Sequence, residues 1–337
     1  MPLPFIPLAV AAGAAVATAV AGKKGHESYK NMKETKNIAE SMENQYKTVF
    51  NIFDQVRQET NTQFEKYGEL KLNILSGTMK EFISEFKKLK NIDFTDKTTI
   101  DSLKDVSDSK HFMQEIEKQV IAASDLLKSG VSAIAGGGLA AMGALGAATT
   151  FGAASTGTAI ASLSGVAATN ATLAFLGGGS LAAGGLGMAG GMAVLGGIAL
   201  APALALGSII FATSTKKKLE EMKTKREEVK VEMQKLQSAT SILKEIKSYT
   251  IKLSNLTTET TTLFADYIAT MSSIIDEKGI DYRNFSDDEQ LTIRYTAELA
   301  IILKKLLDTP VIDEGGNRSK ILEDVLKTTE KSIQHMY

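Results

Sequence analysis

The chain has 337 residues, no cysteine, no tryptophan and three histidines, with 38 basic side chains against 39 acidic ones and a net charge of −1. A balance so close to neutral excludes a protein whose affinity comes from a basic, phosphate-facing surface, so nucleic acid is not an expected partner. Lack of cysteine removes disulfides and thiolate metal sites but leaves the compartment open. The average conceals a segregation: all 77 Lys, Arg, Asp and Glu residues lie in 23–128 or 216–337.

Residues 1–22, MPLPFIPLAVAAGAAVATAVAG, are uncharged and are followed by Lys23-Lys24. A secretory signal normally carries its positive charge before the apolar core, whereas these lysines come after it. Pro4, Pro7 and Gly13 weaken the segment as a helix. A membrane-seeking helix, a cleaved signal and a segment packed on the body all stay open. If it spans alone, Lys23 lies on the cytoplasmic side.

Residues 23–128 read as an amphipathic helical arm. From about Ser28, Tyr29, Met32, Ala39, Met42, Tyr46, Phe50, Phe53 and Val56 recur at helical steps, a stripe with charges between its members. It continues through Phe64, Tyr67, Ile74, Phe82, Phe86 and Leu89, with Gly68 and Gly77 as weak points. The polar stretch 91–99 breaks it. A second helix from about Thr99 carries Phe112, Ile116, Val120, Ala123 and Leu127 as its buried face.

Between Lys128 and Lys216 run 87 residues without Asp, Glu, Lys, Arg or His, holding 20 of the 28 glycines. Such a block is too long for one buried helix and long enough for two or more spans at about 20 residues each. It reads as two or three closely packing helices, about 131–151, 158–176 and 181–211. Glycine costs about 1 kcal/mol of helix stability in water relative to alanine. In lipid the cost of unpaired backbone groups enforces helix. Gly187 and Gly191 form a GxxxG pair suited to close helix packing, and Gly177, Gly178 and Gly179 suit a hairpin turn. The expected inserting residues are Leu173, Phe175, Leu176, Leu181, Leu186, Met188, Met192, Val194, Leu195, Ile198, Leu200, Leu204, Leu206, Ile209, Ile210 and Phe211, within 159–176 and 181–211. Lys128 and Lys216, Lys217 and Lys218 flank the block where lipid headgroups would meet it.

Residues 216–278 carry Leu219, Met222, Val229, Met233, Leu236, Leu243, Ile246, Leu253, Leu256, Leu263, Tyr267, Met271 and Ile274 without proline or glycine. One uninterrupted helix there would be roughly 90 Å long and would need a partner of similar length. Antiparallel pairing with 28–90 is the expected solution. In 279–337, Gly279 ends that helix and Ser286 with Glu289 forms a capping box for the next. Thr309-Pro310 stops it, and a last helix runs over about 319–334.

The fold class is all-α: an elongated bundle of long antiparallel helices with an inserted Gly/Ala-rich hydrophobic hairpin. No residue set supports an enzyme, a metal, a cofactor or a small-molecule substrate. The match of Gly185–Gly190 to GxGxxG lacks an acid about 20 residues on, and the three histidines, His26, His111 and His335, have no ligand spacing.

Residues 152–206, GAASTGTAIASLSGVAATNATLAFLGGGSLAAGGLGMAGGMAVLGGIALAPALAL, resemble the Gly-rich hydrophobic region of bacterial apolipoprotein L-like proteins, most specifically over 170–202 with GGGSLAAGG at 177–185. That resemblance implies a helical, membrane-associated protein with an insertion hairpin and channel activity. The layout of the arms is similar to that of α-pore-forming toxins of the cytolysin A and haemolysin BL type. The expected function is therefore membrane insertion of a hydrophobic hairpin, with pore formation or membrane perturbation. The expected partners are a lipid bilayer and a homo-oligomer or related protein components. A membrane-associated protein with a water-soluble form before insertion fits this reading. A membrane-resident scaffold or regulatory partner using its coiled-coil-like arms is the alternative.

Overall fold

Two uninterrupted helices, each with one apolar stripe, dominate the chain. A computed structural model describes residues 23–92, 109–128, 143, 215–313 and 317–336. These are all-α: α1 (Lys23–Ser76), α2 (Thr78–Phe86), α3 (Ser109–Lys128), α4 (Thr215–Lys278), a short 3-10 turn (Tyr282–Asn284), α5 (Asp287–Asp308) and α6 (Leu322–Gln334). Among the described residues only two isolated bridges, Lys90 to Asp281 and Ile312 to Arg318, have β pairing.

Three local expectations hold at their signals. Helix α1 breaks at Gly77 but runs through Gly68. Its backbone still bridges the break, from Gly77 N–H to the Asn73 carbonyl at 2.9 Å and from Glu81 N–H to the Gly77 carbonyl at 3.0 Å. Gly279 takes φ +84 directly after α4, a conformation open to glycine at little cost. The capping box of α5 is complete: Glu289 N–H donates to Ser286 Oγ at 3.3 Å, and Ser286 N–H donates to Glu289 Oε2 at 2.8 Å.

The chain divides into two units, one containing 23–58 and 215–244, the other 59–92, 109–128, 143, 245–313 and 317–336 among the described residues. In the first unit, Ala39, Met42, Tyr46 and Phe53 pack with Met222, Val229 and Leu236. Tyr46, Phe50 and Phe53 form a ring ladder with centroids 6.2 and 6.5 Å apart. Glu34 lies 3.9 Å from Lys223, and Glu232 helps raise the Tyr46 phenol, though burial is the larger cause. Residue numbers thus rise together on the two helices. Tyr29 and Met32, expected on the buried stripe, are 66% and 49% exposed.

In the second unit α1 and α4 meet through Lys247 and Glu59 at 2.7 Å and Tyr67 and Thr257 at 3.3 Å, and α2 meets α4 through Ser272 and Glu85 at 3.3 Å. Helix α5 is the central element. Its residues 296–300 are buried in succession, so no side of that turn faces water. It meets α4 through Tyr267 and Tyr295, edge to face at 6.1 Å, and through Lys278 and Glu289 at 3.9 Å. It meets α1 where Tyr67 Oη donates to the Leu306 carbonyl at 3.3 Å. Arg318 fastens α6 to α4: it stacks 4.3 Å above Tyr249 and pairs with Glu245 at 2.6 Å. The core includes Phe82 and Phe264, with centroids 5.3 Å apart, each such buried side chain contributing roughly 1.5–3 kcal/mol. Buried Thr240, Thr250, Thr257 and Thr260 each donate to the carbonyl four residues earlier on α4, at 2.7 or 2.8 Å.

The antiparallel pairing of 28–90 with 216–278 is thereby corrected: within each unit the two helices run parallel. The reason is one extra reversal. Helix α3 runs alongside α5 in the same direction, with 115 beside 304 and 119 beside 308, and α5 opposes α4. So α3 returns against α1 and α2, and α4, opposing α3, points the way α1 does. Leu127 is a smaller correction: it is 37% exposed, whereas Ile116, Val120 and Ala123 are buried as expected.

A zero-length carbodiimide crosslink tests the direction. Lys223 should join to Glu34 in the intact protein, a product that antiparallel helices would not give. Lys247 and Glu59 lie at the middle of both segments and serve as the positive control, joined in either direction.

Candidate functional site

The uncharged block is reached through two stems, α3 before it and α4 after it. The expected inserting residues (Leu173, Phe175, Leu176 and Leu181 to Phe211) and the glycines 177–179, 187 and 191 lie outside the described residues. Among the described residues no helix is long and apolar enough to cross a membrane, and no three His, Asp or Glu side chains are grouped to hold a metal.

Of the flanking lysines, Lys128 ends α3 with its side chain 77% exposed, 3.2 Å from Asp125. Lys216 and Lys217 are exposed and Lys218 is half-buried in the first turn of α4, beside buried Leu219. Gly143, inside the uncharged block, is buried, and a Cβ there would overlap the backbone of Phe64 in α1. Only glycine permits so close an approach.

Helix α3 is held by a narrow face. Ile116, Val120 and Ala123 are its buried apolar residues, while Ile121 is 54% exposed. Two such aliphatic side chains supply roughly 1.5–3 kcal/mol each. Phe112 and Met113 add half-buried contacts to the same core, and the polar attachment converges on Asp308, the last residue of α5. Gln119 Nε2 donates to Asp308 Oδ1 at 3.1 Å. Lys304 Nζ donates to Asp308 Oδ2 and lies 3.3 Å from Glu115 Oε2 on α3. At the edge of α2, Lys87 pairs with Glu117 at 2.6 Å, an exposed pair of small worth. Gln119 Oε1 is buried without a hydrogen-bond partner, a cost of about 1–3 kcal/mol.

From the α1 side, Lys71 enters the same cluster with 0% exposure. Its Nζ lies 4.6 Å from the centroid of the Tyr67 ring. Burial depresses the Lys71 amine to about 7, and the Asp308 carboxylate partly offsets that fall. Burial also raises the Tyr67 phenol. Burial alone would lower Lys304, but the hydrogen bond to Asp308 and the nearby Glu115 outweigh it and raise its amine. Removing one partner from a buried ion pair typically costs 3–5 kcal/mol, because the other charge is left uncompensated.

Glu298 is a second buried charge, 1% exposed, whose carboxylate oxygens have no hydrogen-bond partner. Burial raises its carboxyl, so its protonated form is favoured by folding.

The expected sites named none of Lys71, Gln119 or Asp308. A signal was present: Lys71 occupies the apolar phase of Phe64, Tyr67 and Ile74, and Gln119 that of Ile116 and Ala123. A polar residue at a core position calls for a buried partner. Comparison with protein-family models, curated proteins and solved structures finds no match to this chain.

The depressed Lys71 amine gives stability a definite pH dependence. Between pH of about 7 and 10 the unfolded chain, with an ordinary lysine, binds more protons than the folded one, so stability rises with pH. Chemical unfolding of the wild type should show that rise, by an amount on the order of a few kcal/mol. Lys71→Met should flatten it. An equal rise in both proteins would show that the slope comes from elsewhere.

Proposed function

We propose that the protein acts on lipid bilayers by inserting part of its uncharged block, perforating or perturbing the membrane as an oligomer. The observation that carries this reading is the 87-residue stretch without an ionisable side chain, suspended between two amphipathic helices. Hydrocarbon excludes charge and enforces helical backbone, and the charge distribution of this chain obeys that restriction over one continuous segment.

Three features support the reading. Lysines at both ends of the block, Lys128 and Lys216 to Lys218, are positioned to meet anionic headgroups, and Lys128, Lys216 and Lys217 are exposed. Buried Gly143 lies against α1, which fits a block kept from water by the arms before it meets lipid. The likeness of 152–206 to the hydrophobic region of apolipoprotein L-like proteins belongs to the same proposal. With no spanning helix among the described residues, the crossing segment would come from 129–214, with 1–22 as a further candidate.

Dye release from liposomes tests the proposal. The intact protein should empty vesicles, and deletion of 158–211 should abolish release; undiminished leakage by the deletion would sink the reading. Replacing Lys216, Lys217 and Lys218 by glutamine should weaken binding to anionic vesicles by about two orders of magnitude, since each basic group near such a surface contributes about 1 kcal/mol. Neutral vesicles should register little change.

A further inference from the structure

We propose that the Asp308-centred cluster is an autoinhibitory latch: it fastens α3, and with it the beginning of the uncharged block, to the second unit until the charge balance at Asp308 is broken. The inference rests on the membrane reading only for what the released block then does.

The geometry separates α3 from the other helices of this unit. Its fully buried apolar residues are Ile116, Val120 and Ala123, with Phe112 and Met113 half-buried against the core, whereas α5 is surrounded by side chains over a full turn. To these contacts α3 adds polar ones. Gln119 reaches Asp308 at 3.1 Å, and Glu115 lies 3.3 Å from Lys304, itself bonded to Asp308. Lys71, wholly buried on α1, feels the same carboxylate. One carboxylate therefore faces two amines and an amide drawn from three helices. Helix α4 presents Thr257 to the same region, through Tyr67.

Charged clusters of this kind are poor glue and good switches. Desolvation consumes most of their attraction, so an intact cluster holds with little surplus, while loss of one member turns the remaining charges against burial. Removing the charge of Asp308 would leave the Lys71 and Lys304 amines buried without that carboxylate. Helix α3, buried along one face only, would detach before α5, as local opening begins where packing is thinnest. The unpaired Gln119 Oε1 points the same way, because it gains water when α3 leaves.

Hydrogen exchange on the full-length protein without lipid decides the matter. Asp308→Asn, which keeps the shape and removes the charge, should cost 109–128 at least about tenfold in protection while 245–278 changes little. Adding Lys71→Met to that variant removes the buried amine and should return most of the protection. Unchanged exchange over 109–128 in Asp308→Asn would overturn the latch. So would equal loss over 109–128 and 245–278, which is global unfolding, or a double variant as open as the single one. Liposome leakage is read separately. Opening of α3 without faster leakage would keep the latch and count against the membrane reading, whereas faster leakage with α3 still protected would do the reverse.

Discussion

Everything described here depends on the need of two very long helices to hide one apolar stripe each. Helices α1 and α4, of 54 and 64 residues, carry too little apolar residue per turn to be stable alone, and in each unit they pack against one another. Their parallel course in each unit follows from where the remaining helices lie. With α3 returning against α1 and α2, the sequence partner of α1 is spent before α4 begins, and α4 must take the side that α1 still offers. The central place of α5 follows in turn, since the second unit has apolar faces from α1, α2, α3, α4 and α6 that a pair of helices could not cover.

Most of the helical architecture was legible in the sequence because the signals are local. The stop at Gly279, the capping box at Ser286 and Glu289, and the break at Gly77 each depend on a few residues whose conformational preferences do not change with context. Direction was not legible, because an apolar stripe has no polarity: Phe53, Tyr67 and Phe82 pack equally well against a helix running either way. Only the number of chain reversals between partners fixes direction, and α3 supplied the one left out. The ends of stripes were misjudged for a related reason. Tyr29, Met32 and Leu127 keep the period, but periodicity does not say how far a partner extends.

The buried charges follow a different logic from the apolar core. Lys71 and Glu298 are pushed in opposite directions along the protonation scale by the same cause, removal from water. Lys71 has a carboxylate in its neighbourhood and an aromatic face beneath it, while the oxygens of Glu298 have no hydrogen-bond donor. The first arrangement ties helices together and the second ties nothing. Neither was singled out from the sequence, since a charged side chain within a helix usually marks its wet side, and the phase that betrays Lys71 is visible only once the stripe around it is accepted as core.

The threonines buried along α4 have a consequence of their own. Each spends its hydroxyl proton on a carbonyl within the same helix, so Thr240, Thr250 and Thr260 take no acceptor from the helix opposite. At Thr257 the oxygen still receives Tyr67 at 3.3 Å. A neighbour could therefore slip past three of these threonines without orphaning a donor, and would be caught at the fourth.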